Sequence, residues 1–121
     1  MRFEISHAKA HGSLGMGVNS RLLGDRLKDR QHFISALSTI SQGNFCPVPG
    51  GVLILKNITT NNEGKNSEET EDMEMEKKRV IIGAIGVSGD TSDKDEFVAI
   101  TALKVWWIVI SEFLKITLIL I

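Results

Sequence analysis

Two short apolar runs, Val52-Leu53-Ile54-Leu55 and Val80-Ile81-Ile82-Gly83-Ala84-Ile85-Gly86-Val87, are held apart by about twenty polar residues rich in Asn, Glu, Thr and Lys. Each run has the length and the branched side chains of a buried strand. Joined by a short turn they would make a plain hairpin. The segment between them is too polar to bury enough apolar area to offset its ordering entropy. The pattern therefore predicts a hairpin with a disordered insertion at its tip, over about residues 57–78, where added length costs least.

Charge follows the same division. Between Asn61 and Glu76, the acids Glu63, Glu68, Glu69, Glu71, Asp72, Glu74 and Glu76 face a single base, Lys65, so that stretch carries about −6 and the rest of the chain about +5. The basic remainder includes Arg21, Arg26, Lys28 and Arg30 on one short segment, readable as a solvated helix face or as a patch for an anion. A net charge of −1 argues against a nucleic-acid partner, which calls for a basic excess or stripe. The 121 residues suit one small domain with a modest core. One cysteine, Cys46, excludes an intrachain disulfide. The N-terminal residues lack the apolar stretch of a secretory signal, so a cytoplasmic location is expected.

Helical spacing predicts a first helix over residues 3–14, with Phe3, His7, Ala10, His11 and Leu14 on one stripe. Gly12, Gly15 and Gly17 then loosen the chain. Asn19 or Ser20 is placed to cap a second helix reaching Arg30, with Leu22, Leu23 and Leu27 on its apolar side. A third helix is expected over residues 31–41. Its Phe33, Ile34, Leu37 and Ile40 have core-facing spacing, and Gly43 and Asn44 suit its C-cap. After the second strand, Ser92 and Asp95 make a variant capping box for a fourth helix through Lys104. Residues 105–121 form an apolar tail broken by Ser111, Glu112, Lys115 and Thr117. It is short and interrupted for a membrane span. Three roles stay open for it: a packed core or oligomer-interface element, a membrane-contacting segment, or a tail foreign to the fold.

His7 and His11 are the most suggestive chemical pair. At i and i+4 on a helix both imidazoles can approach one metal or one haem iron. The residues between them, Ala8-Lys9-Ala10, do not make a zinc-hydrolase motif. Phe3, Leu14 and Met16 could wall an apolar slot beside the pair. His32 opens the third helix and reads as a capping or surface residue. Two turns are candidate anion or ligand sites, Pro49-Gly50-Gly51 and Ser88-Gly89, the second at a helix start whose amides can hold a carboxylate. The first also reads simply as a turn that starts a strand, and the second as a tight turn with Ser92 as cap, where Asp90 and Asp93 already bring negative charge. Cys46, beside Pro47 in an apolar stretch, reads as an unactivated thiol. No nucleophile elbow or dinucleotide fingerprint is present, so the catalytic residues are unknown and enzyme status is undecided.

Taken together, the stretch from His32-Phe33-Ile34 through Pro47-Val48-Pro49-Gly50-Gly51-Val52 and the run Gly83-Ala84-Ile85-Gly86-Val87-Ser88-Gly89 leading to Asp93-Lys94-Asp95-Glu96 resemble the GlcG/HbpS-like family. That family includes the C-terminal domain of PduO-type corrinoid adenosyltransferases. Ser6-His7-Ala8-Lys9-Ala10 and Leu14-Gly15-Met16-Gly17 are similar to its lysine-containing helix. The resemblance covers about residues 2–103 apart from the insertion. It implies an α/β (α+β) domain, a central antiparallel sheet flanked by helices, that self-associates into homo-oligomers. Relatives carry a further helix and strand pair before the Lys9 helix, so a shortened homologue is expected, with an exposed sheet edge. Some members bind haem, and some are linked to haem degradation or redox sensing. The expected function is haem binding, with His7 and His11 as candidate iron ligands and Lys9 beside the cofactor. The alternatives are a small-carboxylate-binding accessory protein or enzyme, which would use Lys9 and the anion-friendly turns, and a non-functional truncated homologue.

Overall fold

The structure is a computed structural model that describes residues 1–59, 77–114 and 118–119. Its elements are α1 (Arg2–Met16), α2 (Ser20–Leu27), α3 (Gln31–Ile40), β1 (Gly51–Thr59), β2 (Lys77–Gly86), α4 (Ser92–Leu114) and β3 (Leu118–Ile119). The class is α+β: helices around a small antiparallel sheet of order β2-β1-β3. The hairpin runs from Gly51↔Gly86 to Thr59↔Lys77, so residues 57–59 and 77–78 extend the strands. The remainder of the insertion, with its expected disorder, lies outside the described residues. The register steps from Ile54↔Gly83 to Leu55↔Ile81, which leaves Ile82 as the extra residue of a bulge.

Strand alternation distributes the helices. Val52 packs with Ala99 and Leu103 of α4, joined by Ile54 and Ile85. Its neighbour Gly51 turns the other way, directly beneath α1, as does its partner Gly86. The sheet is thus covered by α4 on one face and α1 on the other.

The buried face of α1 is Ala8, Lys9, Gly12 and Ser13, not the expected stripe. Phe3, His7, His11 and Leu14 are exposed, Phe3 at 77%. The reason is steric. Atoms built on Gly86 and Gly51 would collide with the backbone of Ser6 and Lys9, so helix and sheet meet almost backbone to backbone. Only small side chains, or one long chain threading away, fit that face. Ser13 is fully buried and its hydroxyl finds no hydrogen-bond partner among the described residues. Ser13→Ala removes an unsatisfied buried hydroxyl at no cost in space. It is expected to raise stability by about 1 kcal/mol, readable as a higher urea midpoint, and a lower midpoint would contradict that account.

The third helix also departs from expectation. None of its residues is buried, with Phe33 44% and Ile40 79% exposed. It packs chiefly against α2, at the rim rather than over the sheet. Its end does use the expected region: Gln42 and Gly43 both take positive φ, and the Gly43 amide reaches the Ser38 carbonyl at 2.8 Å.

Neither Asn19 nor Ser20 spends its side chain on capping α2. Asn19 Oδ1 accepts the Leu53 amide at 2.8 Å. Ser20 Oγ accepts the Gly51 amide at 2.7 Å and donates to the Gly51 carbonyl at 3.2 Å. β3 pairs β1 only at Leu55 and Lys56. The two side chains therefore supply partners to the part of the β1 edge that β3 does not reach.

The fourth helix does not end at Lys104. It continues through the first half of the apolar tail to Leu114, and the rest of the tail is described only at β3. Among the described residues no helix is long and apolar enough to cross a membrane.

Candidate functional site

The Lys9 helix, the Pro49-Gly50-Gly51 turn and the turn from Val87 to Asp95 meet at one point. Lys9 leaves the middle of α1 and is 2% exposed. Its ammonium donates to the Val87 carbonyl at 2.9 Å and to Asp95 Oδ2 at 2.8 Å. Asp95, itself buried on the first turn of α4, accepts the Gly89 and Asp90 amides on Oδ1, both at 3.0 Å. Gly50, at φ 124°, lies against this ammonium: a Cβ there would sit 2.9 Å from Lys9 Nζ and 2.7 Å from the Val87 oxygen. The Val87 amide closes the circuit onto the Gly50 carbonyl at 2.9 Å.

One buried ion pair thus joins α1, the start of β1, the end of β2 and the start of α4. The Lys9 hydrogen bond, then the Asp90 amide, hold the Asp95 carboxyl below the usual carboxylate range, against desolvation. Asp95 is not the partner of a capping box with Ser92. The turn amides that could cradle an external anion are given to its carboxylate instead.

Of the residues singled out from sequence, the structure brings Lys9, Gly50, Gly51 and Gly89 together. Pro49 and Ser88 flank them, half-buried. His7 and His11 stand apart, on the outer face of α1. Phe3, His7 and His11 stack in a ladder with ring centroids 6.3 and 5.9 Å apart. His32 is exposed at the start of α3. Burial pushes the Cys46 thiol up, opposed by the charge of Lys9, which leaves it a poor nucleophile. Among the described residues no three or more potential ligands gather as a metal site.

A second site was not visible in the sequence. A cleft of about 580 Å³ opens between α2, the two long strands and α4. Leu53, Leu55, Ile81 and Ile100 form its floor, and Arg21, Asp25, Arg79 and Glu96 its charged rim. Arg21 is already committed. Its Nε donates to both Glu96 oxygens at 2.9 and 3.0 Å, and its terminal nitrogen pairs with Asp93. Asp25 and Arg79 make no ion pair among the described residues. Arg79 and Ile81 lie two apart on β2, hence on one face. That spacing was the one available signal, and it needed the strand's start at Lys77 to be read.

The cleft's size and apolar floor suit a small organic ligand. Its lining holds no histidine. His7 and His11 look outward, with only Phe3 stacked on them, so among the described residues no enclosed haem slot forms around the pair. Comparison of the chain with known protein families, with curated proteins and with solved structures finds no match.

Proposed function

We propose that this chain is a non-catalytic ligand-binding domain of the GlcG/HbpS-like type, and that its ligand has an apolar body and a carboxylate. The observation that carries this reading is the cleft, with an apolar floor and, on its rim, an Arg79 guanidinium that no carboxylate of the described residues engages. Arginine takes carboxylates in a two-pronged geometry. Lys9, the cation that the sequence offers for that role, is enclosed by Asp95 and Val87. Haem belongs to the same chemical class, a flat apolar ring bearing propionates. Self-association and the sheet-and-helix plan of the family are part of this proposal.

The test is a titration of the full chain with an aryl carboxylate and, separately, with haemin. Arg79→Ala is expected to weaken carboxylate binding at least about tenfold, or about 1.4 kcal/mol. Asp25→Asn, which removes the opposing charge from the rim, is expected to strengthen it. Equal affinity in wild type and Arg79→Ala would sink the cleft as the site.

A second reading, haem held on α1, is favoured by the exposed His7/His11 ladder. It predicts a saturable, shifted Soret band that disappears in the His7→Ala/His11→Ala variant and survives Arg79→Ala. An unsaturable spectrum from folded protein would remove haem from both readings and leave the smaller carboxylates.

A further inference from the structure

On α1, His7 and His11 lie one helical turn apart with ring planes inclined by 29°. His11 Nδ1 lies 2.9 Å from the Asn44 carbonyl oxygen. A carbonyl only accepts, so Nδ1 carries a proton, and in the neutral ring the lone pair is then on Nε2. A histidine that binds a metal is oriented in this way: one ring nitrogen donates to a protein oxygen and the other is free to ligate. Phe3 stacks on His7 at 6.3 Å with planes 23° apart and limits where that ring can turn. Lys9, between the two in sequence, is drawn to the opposite face by Asp95, so its charge does not sit against an incoming cation.

We propose that His7 and His11 form an open divalent transition-metal site that prefers Cu²⁺. Two imidazoles a turn apart can occupy adjacent coordination positions, with water filling the rest. Among the described residues no further cluster of His, Cys, Asp or Glu completes a four-ligand cage, which is what structural zinc demands. Nitrogen ligands with open water positions suit tetragonal Cu²⁺, and the general order of divalent affinities places Cu²⁺ above Ni²⁺ and Zn²⁺. Both side chains are exposed, so the ion can enter without opening the fold. The site lies on a different face from the cleft and stands whether or not the cleft takes a carboxylate.

The experiment is a calorimetric titration of the full chain with CuCl₂ in a non-coordinating buffer, with electron paramagnetic resonance of the loaded protein. The expected result is one tight Cu²⁺ per chain with nitrogen coupling in the spectrum. His7→Ala and His11→Ala should each weaken it at least about tenfold, and His32→Ala should leave it unchanged. Because both ladder residues are exposed, the variants should keep the wild-type helix signal and melting curve. Undiminished binding in the double variant, or a spectrum of oxygen ligation alone, would overturn the proposal. So would equal affinity for Zn²⁺.

Discussion

Replacing Lys9 with Met is expected to lower the unfolding free energy by about 3–5 kcal/mol, the usual range for removing one partner of a buried pair. Both members are almost wholly enclosed, at 2% and 3% exposure. Without Lys9 the Asp95 carboxylate keeps the Gly89 and Asp90 amides but loses its counter-charge, and the Val87 carbonyl loses a donor. For a domain this small, the loss is a large share of a typical total of roughly 5–15 kcal/mol. Urea denaturation of wild type, Lys9→Met, Asp95→Leu and the double variant completes a thermodynamic cycle. The double variant should be more stable than Lys9→Met alone, because no unpaired charge remains. A loss below about 1 kcal/mol in Lys9→Met would show that the pair is hydrated and not a structural tie.

The same pair sets an acid limit. Its folded-state carboxyl titrates below the ordinary value, held there first by Lys9. Such a group contributes its full stability above the unfolded value of about 3.9 and loses it as pH falls through the folded one. Stability should therefore decline below about pH 4 more steeply in wild type than in Asp95→Asn, whose amide does not titrate.

These residues show what was legible in the sequence and what was not. The two long strands, the existence of the four helices and the turns between them follow from periodicity and from Gly, Pro and Asn, whereas the ends of α2 and α4 and the short β3 do not. The buried side of α1 did not. Hydrophobic periodicity assigns the large residues Phe3 and Leu14 inward, because it scores area and not distance of approach. The governing signal lay elsewhere, in two glycines, Gly51 and Gly86, that only strand register reveals as neighbours. Asp95 looked like half of a capping box, since three-residue spacing from Ser92 is local information. Its actual partner, Lys9, is 86 residues away. Lys9, Gly50 and Gly89 were recognisable as special but not as special to one another. The cleft was illegible for the same reason, being assembled from side chains on four elements.

Gly86→Ala is the sharpest test of that helix–sheet contact. A methyl group there would overlap the Ser6 carbonyl oxygen and press within 3.0 Å of the Ala10 amide nitrogen. Both obstacles are backbone, so no side-chain rotation relieves them, and trimming Ser6 to Gly would not help. The helix must lift from the sheet, which also stretches the Lys9 bonds to Val87 and Asp95. Overpacking alone costs about 1–3 kcal/mol. With the ion pair disturbed, the loss should reach about 3 kcal/mol or more in urea or thermal unfolding. Gly15→Ala supplies the control on the same helix. Apart from its chain neighbours and the surrounding helix backbone, no atom of the described residues lies within 4 Å of the added atom, and alanine replaces glycine in a helix, so stability should rise by about 0.5–1 kcal/mol. Opposite signs at Gly86 and Gly15 would show that the glycine at Gly86 is required by contact. A gain at both would mean that α1 does not rest on the sheet at this distance, and the Lys9–Asp95 tie would fall with it.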